Sequence, residues 1–157
     1  MSRESLIQNP YAWQVAAEAI ADARNPHEVE NAERWAVAEA LFGTDPFRQD
    51  ELRSLLAVDQ GLKSAEAALR LVRQVFGTEV QVDWFWNCCQ GHYAEVTSEV
   101  DGKRRQGCAG GATVALAFMA AAVRYRLAEP EPIVETPPAP PRNVALRVVD
   151  GVNAKTK

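Results

Sequence analysis

Residues 78–127 read TEVQVDWFWNCCQGHYAEVTSEVDGKRRQGCAGGATVALAFMAAAVRYRL, and the reading of this stretch decides the fold. The opening segment alternates strictly. Val82, Trp84, Trp86 and Cys88 fall on one face of an extended chain, and Asp83, Phe85, Asn87 and Cys89 on the other. A return strand, YAEVTSEV, follows Gln90-Gly91-His92. A three-residue loop there opposes Cys88, Trp86, Trp84 and Val82 with Ala94, Val96, Ser98 and Val100, one continuous apolar face, with Gly91 or its neighbour at a positive φ. Asp101-Gly102 then predicts a type I′ hairpin that sets Glu99 opposite Arg104. The third strand, KRRQGC, runs through Gly110-Gly111 into a helix. The unit is an antiparallel meander with one apolar face.

The helix over residues 112–127 is apolar nearly all round, since Val114, Leu116, Phe118, Met119, Val123 and Leu127 fit no single stripe. Such a helix is either deeply buried or shared between partners. Phe118, Met119 and Val123 are therefore the candidate oligomer-interface residues. The apolar run from 112 to 123 is too short to span a bilayer, so no membrane partner is expected.

Upstream, Asn9-Pro10, Asn25-Pro26 and Asp45-Pro46 each place an Asx cap before a proline at the first helical position. Glu28 adds a capping-box partner to Asn25. Helices are expected over about 10–24 (burying Trp13, Ala16, Ala17, Ile20 and Ala21), 26–42 (burying Trp35, Ala38, Leu41 and Phe42) and 46–58 (offering Phe47, Leu52, Leu55 and Leu56). Gly43 ends the second and Gly61 separates the third from a fourth, over 62–76. That fourth helix feeds the first strand through Gly77-Thr78. The two helices flanking the meander pack on one face of it or on opposite faces, and Phe85 on the polar side favours opposite faces.

The expected architecture is thus α+β: a three-stranded antiparallel meander packed by flanking helices, preceded by a small helical lobe. Residues 1–61 form the three-helix lobe, 62–128 the helix-meander-helix unit, and 129–157 a proline-rich linker and tail. Within that tail, residues 144–149 (VALRVV) alternate well enough to add as an edge strand to this sheet or a neighbour's.

Net charge is −4, unevenly spread. Residues 1–66 carry twelve acids against six bases, net −6. This lacks the basic stripe of a nucleic-acid binder and offers an acidic surface to a basic partner. Glu18, Asp22, Glu28, Glu30, Glu33 and Glu39 are its candidate partner-binding residues. The basic cluster Lys103-Arg104-Arg105, with Arg124 and Arg126, reads as a solvated hairpin tip. Three cysteines and no secretory signal suit a reducing cytoplasm. Cys89, His92 and Cys108 are the one set that could converge on a metal or serve as a thiol site. A fourth ligand is missing, so no metal, cofactor or catalytic residue is assigned. The GCAGG run of 107–111 lacks the Lys-Ser/Thr of a P-loop and reads as a tight approach of helix to sheet.

The amphipathic helix, the tryptophan-containing hairpin, the Gly-rich approach and the alanine-rich ATVALAFMAAAVRYRLAE together resemble the phage ABA-sandwich family over about residues 62–127. The resemblance implies a phage or prophage origin, a host-cell cytoplasmic setting and an accessory, binding-type role without catalytic residues. The expected function is a non-enzymatic binding protein, in its sharpest form an inhibitor of a host defence complex whose nucleic-acid site the acidic lobe occupies. The alternatives are a small metal- or thiol-dependent regulator or enzyme using Cys89, His92 and Cys108, and a structural assembly protein whose tail strand joins a neighbour's sheet.

Overall fold

The computed structural model describes residues 9–43, 48–88 and 91–133. Among them the chain forms α1 (Pro10–Asp22), α2 (Asn31–Phe42), α3 (Arg48–Lys63), α4 (Ala65–Phe76), β1 (Gln81–Asn87), β2 (Gly91–Val100), β3 (Lys103–Gly111), α5 (Val114–Leu127) and the two-residue β4 (Glu131–Pro132). The sheet is antiparallel, in the order β1-β2-β3-β4. The α+β class and the meander stand as expected, with β4 as an added edge.

α5 is the centre. It lies on β2 and β3 with one side and receives α1, α3, α4 and α2 on the other. Ten of its fourteen residues are buried, which is why no polar stripe is written into it. α4 packs on α3 and α5 rather than on the sheet, so the helices gather on a single face. No described helix covers the face that bears Phe85. One apolar cluster runs from Trp13 through Val58, Leu62, Val96 and Met119 to Tyr125, so residues of the expected lobe and of the meander unit share a core.

Small residues let α5 sit close. β3 continues through the glycines to Gly111, three residues past the expected end. Gly107, Ala109 and Gly111 alternate onto the helix-facing side. A Cβ at Gly107 would lie 2.0 Å from the Tyr125 backbone nitrogen, and one at Gly111 would lie 2.7 Å from that of Ala117. The glycine run is therefore a strand that the helix backbone touches.

Several expected details differ. The β1–β2 register pairs Val82 with Val96, Trp84 with Ala94 and Trp86 with His92. The connection is residues 88–90, two positions earlier than expected. An even displacement keeps the faces but moves Cys88 out of the strand, to an exposed turn position. Gly91 has φ 82°, as the turn demanded, and Asp101 and Gly102 have φ 53° and 73°, matching the type I′ hairpin. Glu99 and Arg104 pair as expected, at 2.7 Å.

The second helix is split. Asn25 caps only a 3-10 turn, Pro26–Glu28. Val29 then turns extended and inward, and α2 starts afresh with a capping box between Glu30 and Glu33. Arg34 holds this break: it donates to the carbonyls of Val29 (3.0 Å) and Pro26 (2.6 Å) and pairs with Asp59 on α3. Gly61 lies inside α3, buried against Met119, and the chain breaks instead at Ser64, whose hydroxyl caps α4. Trp35, Leu52 and Leu56, expected in the core, are exposed. The Asp45-Pro46 cap and Phe47 lie outside the described residues, as does the 144–149 segment.

Candidate functional site

The sequence's candidate acids divide into two groups. Glu39 accepts the Trp13 indole N–H at 2.8 Å, fixing α1 to α2 around a buried tryptophan. Glu28 accepts from the Arg24 backbone, and Glu30 and Glu33 form the α2 capping box. These four carboxylates are engaged in holding helix ends and helix pairs. Glu18 and Asp22 remain on the outer face of α1, in one stripe with exposed Tyr11 and Val15.

The candidate oligomer interface is placed inside the molecule. Phe118, Met119 and Val123 are 7%, 0% and 0% exposed, packed in the shared core. Their apolarity is accounted for by burial on both sides of α5, which leaves them no surface to offer a second copy.

The thiol–imidazole set does not assemble. His92 projects on the α5 side of the sheet, whereas Cys108, paired opposite Glu95, projects on the other. His92 stacks on Trp84 (ring centroids 5.8 Å apart) and its Nδ1 accepts the Trp84 indole N–H at 3.2 Å. Cys108 shares a hydrogen bond with Tyr93, whose phenol is pushed up to about 12, first by that bond and then by burial. Cys89 lies outside the described residues. Among the described residues no group of three His, Cys, Asp or Glu is placed to hold a metal.

The basic cluster is likewise taken up locally. Arg104 pairs with Glu99. Arg105 donates to the Tyr125 and Arg126 carbonyls (2.9 and 2.7 Å), closing the C-terminus of α5, and lies over the Tyr125 ring. Burial lowers its pKa from the ordinary arginine value. Arg124 donates to the Cys108 carbonyl at 3.1 Å.

What the sequence reading did not single out as a site is the edge strand itself. Among the described residues β1 pairs with β2 alone. Three consecutive aromatics on it are exposed: Trp84 48%, Phe85 54% and Trp86 63%. Trp84 and Trp86 do share the helix-facing side with Val82, as the alternation required, but at the sheet margin no described helix packs extensively on β1. The two margins differ in kind. β4 covers Lys103 and Arg104, the Ile133 N–H bonds to the Gly102 carbonyl at 2.9 Å, and Arg124 occupies the Cys108 carbonyl. β1 itself carries no proline, lysine or bulge, and a single charge, Asp83. The signal was present in the sequence as WFW, but alternation alone placed it on a buried face.

Among the described residues no helix is long and apolar enough to cross a membrane. Comparison with family models, with curated proteins and with solved structures finds no match.

Proposed function

We propose that the chain is a non-enzymatic binding protein, of the phage or prophage accessory kind implied by the resemblance above, and that its contact surface is the open β1 edge. The observation that carries this reading is the run Trp84-Phe85-Trp86, about half exposed on a seven-residue strand that pairs along one margin alone among the described residues. Large aromatics are the side chains that dominate binding energetics. An unpaired strand adds backbone hydrogen bonds to any extended partner segment, while alternate side chains supply specificity. Partner capture by Trp86→Lys, which places a charge at the margin without touching the core, tests it. Wild-type protein that retains a protein partner, against a folded Trp86→Lys that loses it, supports the reading. Undiminished capture by Trp86→Lys contradicts it.

The acidic-surface version, an inhibitor of a host nucleic-acid-binding defence complex, rests on one stripe of α1: Tyr11, Val15, Glu18 and Asp22, all exposed. It predicts partner binding that weakens with salt and with Glu18→Lys/Asp22→Lys. Binding unchanged by both would remove it.

A further inference from the structure

The two exposed tryptophans of β1 share a polar neighbour, His92, on their own side of the sheet. It lies directly opposite Trp86 and diagonally from Trp84, within reach of both indoles. The imidazole is half-buried and stacks on Trp84, whose Nε1 stands 3.2 Å from its Nδ1. An indole N–H is a donor and has no lone pair to offer. The imidazole nitrogen facing it must carry the lone pair, which puts the ring proton on Nε2 and makes His92 neutral. The bond thus exists in one protonation state alone. A proton added to Nδ1 sets N–H against N–H and breaks it.

Little else holds the Trp84 ring. Its partner across the strand pair is the small Ala94, the side chain is 48% exposed, and no described helix packs extensively on β1. The surroundings of His92 leave its charge to the ring itself. On its side of the sheet β1 offers Val82, Trp84 and Trp86, and β2 offers Ala94, Val96, Ser98 and Val100. β3 sets Gly111 opposite it, while Lys103 and Arg105 sit toward the far end of that strand, Arg105 bound to carbonyls at the end of α5. The first turns of α5 lie over Gly111 without a charged residue, and Arg124 and Arg126 fall in its last turn. α1, packed on α5 and β3, bears Tyr11, Glu18 and Asp22 on its exposed side. Asp83, Tyr93, Glu95 and Cys108 project from the opposite face of the sheet, and Cys88 follows in the exposed turn. Among the described residues no ion pair joins His92 to a carboxylate.

We propose that His92 is a pH-operated latch on the Trp84 side chain. Neutral, it holds the indole N–H against β2; protonated, it releases the ring and places a cation between the two tryptophans. The imidazolium keeps a favourable position over an aromatic face while the indole N–H turns to water. The latch is a property of these side chains. Its consequence for binding, a changed aromatic margin, rests on the β1 edge being the contact surface.

Proton–nitrogen NMR of the full chain, followed from about pH 8 to about pH 5 where histidine charge changes are sought, tests it through the tryptophan indole signals. Trp84→Phe identifies the Trp84 signal by its disappearance. That signal should move in one step and reach, at the acid end, the position it holds throughout in His92→Ala. His92→Gln, whose amide oxygen accepts the indole N–H at every pH, should abolish the step. His27→Gln, in the connection between α1 and α2, should leave it intact. The Trp13 indole, held by Glu39 in the core, should not follow. A Trp84 signal unmoved over this range overturns the latch, as does one that moves equally in His92→Gln or in step with Trp13. A silent Trp84 leaves the β1 contact surface standing, and undiminished partner capture by Trp86→Lys leaves the latch standing, so the two readings fail separately.

Discussion

At the scale of single residues, the molecule depends on a few atoms that have no room to move. Gly107 is the sharpest case. An added Cβ would meet the backbone of Tyr125 and the Ala121 carbonyl at 2.6 Å or less, and a helix backbone cannot step aside alone. Gly107→Ala should cost at least about 3 kcal/mol, the upper end of ordinary overpacking. A thermal melt should register this as a fall of roughly 6–12 °C. Gly61→Ala offers the contrast. Its Cβ would meet the Met119 sulfur at 2.8 Å, a flexible side-chain end that can shift, while the helix gains about 1 kcal/mol of propensity. Its melting temperature should stay near that of the wild type, and a fall as large as that of Gly107→Ala would contradict this distinction. Tyr93 supplies a spectroscopic signal. Its phenol titrates at about 12 in the folded chain, above the ordinary value near 10. The folded state thus favours the neutral form. That contribution to stability is complete below pH ~10 and is lost as pH rises through about 12. Ultraviolet titration should find one late tyrosine, and Cys108→Ala should bring it back toward the ordinary value.

At the scale of elements, the short-range pieces were readable and the phases between them less so. The Asp101-Gly102 turn and the Glu99–Arg104 pair follow from two residues of turn chemistry, so the β2–β3 register could be written down directly. The β1–β2 register could not. Alternation has a period of two, so burial distinguishes odd slips from even ones but cannot separate a loop over 88–90 from one over 90–92. The same limit hid the β1 edge: Trp84 and Trp86 lie on the predicted face, yet whether α5 extends over them is a tertiary matter. The basic cluster was misleading for a related reason. Arg105 and Arg124 reach main-chain carbonyls that only the packed helix and strand bring near. At the α2 start, the Asn25-Pro26 cap was recognised but the second start at Glu30 was not, because Val29 turns inward to join the core. Removing Arg34, which holds that break to α3, should be costly. Arg34→Ala leaves Asp59 and two carbonyls short of a donor and should lower stability by about 1–3 kcal/mol in denaturant unfolding. An unchanged midpoint would show the break to be held by the capping box alone.

At the scale of the whole molecule, α5 is at once the back of the sheet and the centre of the helical layer. The described helices and the meander therefore share one core, and they should unfold together in a single transition detected alike by near- and far-ultraviolet circular dichroism. The acids and cations that looked available are mostly engaged in holding this arrangement. The aromatic margin of β1 is the feature that packing leaves unaccounted for. The central claim is that this margin is a binding edge, and amide hydrogen exchange across Gln81–Asn87 of the full chain tests it most directly. Among the described residues β1 pairs along one margin alone, and its outward amides become protected once a strand is added. Their protection should rise when a protein partner is captured and should stay at the unbound level in Trp86→Lys. Exchange at those amides that is equally fast with and without a captured partner would contradict it.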